Sequence, residues 1–374
     1  MVGGVSNHID ALATALAKQG FEVVVMHICY KEIAPLKQTR SGYRIIRVVA
    51  AKTLANENLL LKKFVRHWLS FTVGRKHLRE ITLKFQPDVI HWHDYYHSGL
   101  ITKIISANGP IKICTNHASR YLEQYAKGIF FHHYLRFFVS HADGIIAPSD
   151  ELAQKSLISG KPTKFIPNGV DETRFKPTNK YREDCCKRFG LDPKSKIILA
   201  PRRVDPKNGL MTLINSIPSI DPGSSGFSVL IAGGGPDDLV RHYQEEAKRL
   251  GIAHLVTITG VLPYDVMPRL VPSADIVVIP SFYEAVSLAA LEALSCGVPV
   301  VASDVGGLPY VINSDNGILV PPGDPIALAK ALSQLLENET LRLEKGRNGR
   351  QLILEKFTWD RVAQHTTAFY SDFS

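Results

Sequence analysis

Residues 276–303 read "IVVIPSFYEAVSLAALEALSCGVPVVAS". The apolar run Ile276–Ile279, rich in β-branched residues, stops at Pro280. "LAALEALS" is built from strong helix formers, with Ser287 placed to cap its N-terminus and Gly297 and Pro299 to end it. "PVVAS" then supplies a second strand. A strand, a helix and a strand in succession make a crossover unit, and such units build parallel sheets covered by helices.

The same alternation runs along the chain. Strands are expected at "EVVVMHI", "RIIRVV", "DVIHWH", "KICTNH", "GIIAPS" and "KFIPN", and again at "KIILAP", "SVLIAGG", "VTITG", "IVVIPS", "PVVAS" and "GILVPP". Between the two sets, "PNGVDETRFKPTNKYRED" (167–184) replaces periodicity with Pro, Gly, Asn and charge, and a hinge is expected there. The fold class is α/β: two Rossmann-like, doubly wound parallel sheets facing each other across an interdomain cleft. The domains expected are 1–172, 173–354 and a C-terminal helical segment, 355–374, packing back on the first domain.

The chain has 374 residues, 45% hydrophobic and 21% charged, enough for two cored domains. No apolar run approaches the roughly 20 residues of a membrane-spanning helix, and the N-terminus has no basic start or apolar block to mark it for export. Five scattered cysteines signal neither a disulfide framework nor a zinc motif. A reducing cytosol fits them. Residues 1–176 carry 24 Lys+Arg against 13 Asp+Glu and the remainder 20 against 22, so the basic excess lies in the first half. Much of it falls in 59–85, where Leu61, Phe64, Val65, Trp68 and Phe71 recur at helical spacing among Lys62, Lys63, Arg66 and Arg75. That pattern reads as an ordinary packed helix with a basic face, or as a helix lying on an anionic membrane surface. No nucleic-acid motif accompanies the charge.

Candidate site residues gather at strand ends. His91, His93 and Asp94 follow one strand, His117 the next, Arg202 and Lys207 a third, and Glu284 a fourth. His-x-His with an adjacent Asp is a metal-ligating pattern, but no third ligand stands at a suitable spacing, and no metal site is expected. His117 reads as a core histidine or a cleft base. Arg202 and Lys207 could converge on one anion, a diphosphate being the best match, though basic loops are common. Glu284 and Glu292 lie in a segment without Lys or Arg. Each is either paired with a distant Arg or accepts hydrogen bonds from ligand hydroxyls, while the amides of Val286, Ser287 and Leu288 at the helix start face phosphate. Cations, a helix end and two carboxylates suit a nucleotide sugar.

The chain resembles family 4 of the retaining glycosyltransferases, of GT-B architecture, through "GGVSNHIDALATALAKQGFEVVV", "PDVIHWH", "TNH", "ADGIIAPS", "IPNGVDETRFKP", "RRVDPKNG", "LIAGGGPD", "ADIVVIPSFYEAVSLAALEALSCGVPVVASDVGG" and "NGILVPPGD". The resemblance implies transfer of a hexosyl unit, with its anomeric configuration retained and no metal or cofactor, from a UDP-, GDP- or ADP-sugar to an acceptor hydroxyl. The acceptor expected is a glycan or glycolipid of the cell envelope. Arg202 and Lys207 would hold the diphosphate, Glu292 the ribose and Glu284 the transferred sugar; Gly4 would admit phosphate and acceptor, and His117 would stand near the reacting centre. The protein is expected in the cytoplasm, peripheral to the inner face of the membrane, in an oligomeric state the sequence does not give. Three features depart from the pattern. The strand that usually precedes the glycine loop does not precede Met1, so either the start is late or the sheet is rearranged. Ser287 replaces a common glycine, and Ala285 and Val286 replace the usual Pro-Phe or Gly-Phe. Alternatives of the same architecture are a nucleotide-sugar epimerase, a glycosyl phosphorylase and a nucleotide-sugar-binding protein without chemistry.

Overall fold

The computed structural model describes residues 4–29, 37–49, 59–94, 97–105, 109–117, 128–221, 226–284 and 287–374. They divide into two compact units, residues 1–167 with 359–374, and residues 168–358.

The described residues of the first unit form seven strands in two sheets. β1 (Val24–Cys29) pairs in parallel with β3 (Tyr43–Val49), and β2 (Lys37–Arg40) joins β3 antiparallel. β4 (Val89–His93), β5 (Ile111–Thr115), β6 (Gly144–Ala147) and β7 (Thr163–Phe165) form an all-parallel sheet in that order. All six strands expected in this half are present. The seventh, β2, reads "KQTR", without an apolar face, and is an exposed edge made by the tight turn at Ser41 and Gly42, both at positive φ. Among the described residues no strand joins β1 to β4. The helix Gly4–Lys18 buries Leu12, Ala15 and Leu16 against Ile113, Ile146 and Ile166, and Val362, Ala363 and Phe369 of the helix Trp359–Ser371 complete that core. The last helix therefore belongs to the first unit.

The second unit is one six-stranded parallel sheet, ordered β10-β9-β8-β11-β12-β13, from β8 (Lys196–Ala200), β9 (Phe227–Ile231), β10 (Val256–Ile258), β11 (Ile276–Ile279), β12 (Val300–Ser303) and β13 (Gly317–Val320). β8 and β11 to β13 are fully or largely buried, as apolar runs between two helical layers must be. The chain winds from β8 out to β10 and then returns to the other side of β8 with β11. The switch point lies between β8 and β11, the position at which an open doubly wound sheet takes its ligands.

The helix Leu59–Phe85 forms over the basic segment. Its face differs from the expected one: Trp68 is 59% exposed and lies outward with Arg75, while Gly74 and Leu78 turn inward. The placements of Leu61, Lys62, Lys63, Phe64, Val65 and Arg66 fall outside the described side chains.

Candidate active site

In the second unit the strand-end residues come together at the switch point. After β8 the chain runs through "PRRVDPKNG", where Asp205 caps a short helical turn by accepting the Lys207 N–H at 3.1 Å, Pro206 opens the turn and Gly209 closes it at φ +64°. This turn is packed backbone against backbone. A Cβ on Gly209 would stand 1.8 Å from the Pro280 carbonyl oxygen, and the Phe282 N–H donates to the Lys207 carbonyl at 2.9 Å. The glycines of "AGGGPD" serve the same fit, since a Cβ on Gly233 would meet the Arg202 carbonyl oxygen at 2.1 Å and one on Gly235 the Val204 carbonyl oxygen at 2.2 Å. Only hydrogen at these α-carbons lets the loop after β9 brace the loop after β8.

Arg202 reaches across to the loop after β11. Its Nη2 donates to Ser281 Oγ at 2.9 Å and forms an ion pair with Glu284. Its Nε is buried with no partner, and burial together with Arg203 lowers its pKa to about 10. Glu284 is therefore paired with an arginine, and that arginine is the one the sequence assigns to a phosphate. Its carbonyl accepts from the Gly307 N–H at 3.2 Å, and Gly306, at φ +55°, leaves room for it. Lys207 is exposed.

Glu292 differs from Glu284. It stands in the helix Leu288–Ser295, only 5% exposed, and receives the Tyr264 hydroxyl proton at 2.7 Å. No cation lies at ion-pair distance among the described residues. Burial pushes its pKa up to about 7, against the opposing pull of the Tyr264 hydrogen bond and of Arg174. Leu288 opens the helix and Ser287 occupies the N-cap position, yet the Ser287 hydroxyl caps nothing: Oγ is buried and without a partner. Val286, like Ala285, lies outside the described residues.

The histidines gather in the first unit. His93 ends β4 and His117 follows β5, and their facing nitrogens, Nδ1 and Nε2, are 2.9 Å apart. His91 stacks on His93 with ring centroids 4.5 Å apart, its own nitrogens engaged by the Tyr370 hydroxyl at 2.7 Å and the Thr115 hydroxyl at 2.6 Å. Burial drives all three pKa values down, that of His91 to about 3, so the rings are neutral at ordinary pH. Gly4 is the first residue of the helix Gly4–Lys18, and one turn later His8 meets His117 edge to face at 4.5 Å.

Residues 182–352 match the family of glycosyl transferases group 1, and residues 2–174 match glycosyltransferase family 4. The chain belongs to the family 4, group 1 glycosyltransferases. This glycosyltransferase is 29% identical to an uncharacterized glycosyltransferase of Methanocaldococcus jannaschii, over 99% of this chain and 94% of that one. It is 28% identical to the D-inositol 3-phosphate glycosyltransferase of Corynebacterium diphtheriae, over 99% and 90%. Its structure superposes on sucrose-phosphate synthase from Thermosynechococcus elongatus with a TM-score of 0.80, covering 100% and 94% of the two chains at 24% identity. It superposes on Anabaena HepE, solved in complex with UDP-glucose, with a TM-score of 0.77, covering 100% and 97% at 19% identity. The fold is GT-B.

Two residues of the candidate site escaped the sequence reading. His8 follows Gly4 by one helical turn and shares the inward face with Leu12, a periodicity that could have shown it. Tyr264 carries no signal, because its loop follows β10 and reaches Glu292 only through the tertiary fold.

Proposed function

We propose that the enzyme transfers a hexosyl unit, with retention and without a metal, from a nucleotide-diphosphate sugar to an acceptor hydroxyl. The observation that carries this is Glu292: a carboxylate buried on an apolar helix, with the Tyr264 hydroxyl but, among the described residues, no cation at ion-pair distance to balance it, on a helix whose N-cap serine hydroxyl is also buried and caps nothing. Such groups persist where a ligand completes their hydrogen bonds. Ribose hydroxyls suit Glu292, and the diphosphate suits Arg202, Lys207 and the amides of Ser287 and Leu288 at the positive end of the helix. HepE was solved with a donor of this class.

The Arg202–Glu284 pair suits an exchange of partners. Donor phosphate draws Arg202 away, and Glu284 turns to the sugar hydroxyls, so neither charge is left bare. As the bond from the anomeric carbon to the diphosphate oxygen breaks, Arg202 and Lys207 neutralise the charge gathering on that oxygen. The acceptor oxygen attacks from the same face, and its proton passes to the departing phosphate. His117, neutral and buried in the first unit, holds the reacting sugar by a hydrogen bond. An epimerase or a mere binding protein has less support, since the family matches name transfer throughout.

The test is release of free nucleotide dependent on added acceptor, in EDTA. His117→Ala is expected to bind donor within about threefold of wild type and to slow transfer 100-fold or more. Unchanged turnover would remove His117 from the chemistry.

For the acceptor we infer a lipid-linked glycan at an anionic membrane. The outward face of the helix Leu59–Phe85 carries Trp68, Arg75, Lys76, Arg79 and Leu83 in the exposed positions. An aromatic and basic face of this kind lies well in the headgroup region. The enzyme should sediment with vesicles containing phosphatidylserine at low salt and lose about tenfold in partition as Trp68→Ser; indifference to such vesicles contradicts the inference.

A further inference from the structure

Of the His-x-His pair only His93 offers a free-standing ligand position, and the fold brings two further histidines to it. The ligand atoms of His8, His93 and His117 lie within 4.8 Å of one another. They come from three elements of the first unit: the helix Gly4–Lys18, the end of β4 and the segment after β5. We propose that these three histidines form a binding site for a divalent transition metal of the zinc class, and that occupancy of the site inhibits transfer. The inhibition rests on the role given to His117 above; the metal binding does not.

The geometry suits that ion. Zinc bonds imidazole nitrogen at 2.0–2.1 Å, so two nitrogens on a tetrahedral ion stand about 3.3 Å apart. His93 Nδ1 and His117 Nε2, at 2.9 Å, need to part by a few tenths of an ångström, and His8 to close in by an ångström or so. His91 is excluded as a fourth ligand because both its nitrogens are engaged. Its stacking on His93, and the stacking of His93 on His117 at 5.2 Å and 21°, hold those two ligand rings nearly parallel, while the His8 ring stands edge-on to both. Trp359 supports His8 from its other neighbours, edge to face at 5.0 Å. Three imidazoles without a carboxylate favour zinc, cobalt or nickel over magnesium or calcium. The fourth position stays open to water or substrate. A metal there takes the nitrogen lone pairs of His93 and His117 and pulls His117 out of any hydrogen bond to the sugar.

The test uses the full-length chain stripped with EDTA. Zinc is titrated calorimetrically, and cobalt is added as a reporter, since four-coordinate cobalt absorbs strongly in the visible. Wild type is expected to bind one equivalent with the four-coordinate spectrum. His8→Asn and His93→Asn, on separate elements and each checked for folding by circular dichroism, are expected to weaken binding 100-fold or more; His254→Asn, at an exposed histidine, should not. Transfer by wild type should fall at least tenfold with one equivalent of zinc and return with EDTA. Wild type and His8→Asn binding metal alike, or no four-coordinate spectrum in wild type, would overturn the site. Stoichiometric zinc that leaves transfer untouched would overturn the inhibition. A chain that binds zinc through these histidines yet transfers no sugar in EDTA keeps the site and refutes the functional reading instead.

Discussion

Glu292 and Glu284 are both carboxylates within one short segment, and their environments separate them. Glu284 is neutralised by Arg202; Glu292, among the described residues, has the Tyr264 hydroxyl and no cation at ion-pair distance. With a pKa raised by burial from 4.5 to about 7, the folded chain holds the Glu292 proton to a higher pH than the unfolded chain does. Stability is therefore full below pH 4.5 and falls as pH rises toward 7, by at most about 1.4 kcal/mol per unit. Glu292→Gln should lack this slope. Its urea midpoint relative to wild type is expected to climb between pH 4.5 and 7 and to level off above; parallel profiles would mean that the carboxylate is already charged and well solvated. Of the residue pairings, little was legible in advance. The sequence offered an arginine partner as one reading of either glutamate, but which glutamate, and which arginine, depends on β8 lying beside β11. That adjacency is a property of the sheet and not of the local sequence. The Ser287 N-cap shows the same limit: serine in that position usually caps, and here the hydroxyl is buried without a partner.

Elements were more legible than pairings. Buried parallel strands are short β-branched runs, and twelve of the thirteen described strands were visible as such; β2, antiparallel and exposed, was not, because an edge strand of that kind has no apolar face to show. Trp68 was read with an apolar stripe but faces outward, since helical spacing defines a stripe without saying which side the core takes. The loops that carry the site depend on glycine, and two positions show why. Gly190 and Gly209 share a left-handed φ, near +67° and +64°, but a Cβ on Gly190 meets nothing within 4 Å while one on Gly209 meets the Pro280 carbonyl at 1.8 Å. Gly190→Ala is expected to cost about 1 kcal/mol for conformation alone. Gly209→Ala must also part the loops that carry Arg202 and Ser281, and about 3 kcal/mol or more is expected. Equal urea midpoints for the two variants would show that the close approach is not a constraint.

At the scale of the whole molecule, each unit gathers its chemistry at the carboxyl ends of its strands: cations, a helix start and carboxylates in the second unit, histidines in the first. The division of labour follows from topology. The second sheet reverses its strand order between β8 and β11, while the first unit lines up β4 to β7 in chain order and sets His93 and His117 at the ends of adjacent strands. No described helix is long and apolar enough to cross a membrane. The central claim is that the second unit holds a nucleotide without a metal, through Glu292. Its most direct test is calorimetric titration of UDP, GDP and ADP in EDTA into wild type and Glu292→Ala. One nucleotide binding selectively to wild type, and at least tenfold more weakly to the variant, is the expected result; equal affinity in the two folded proteins, or no binding to either, would contradict the account.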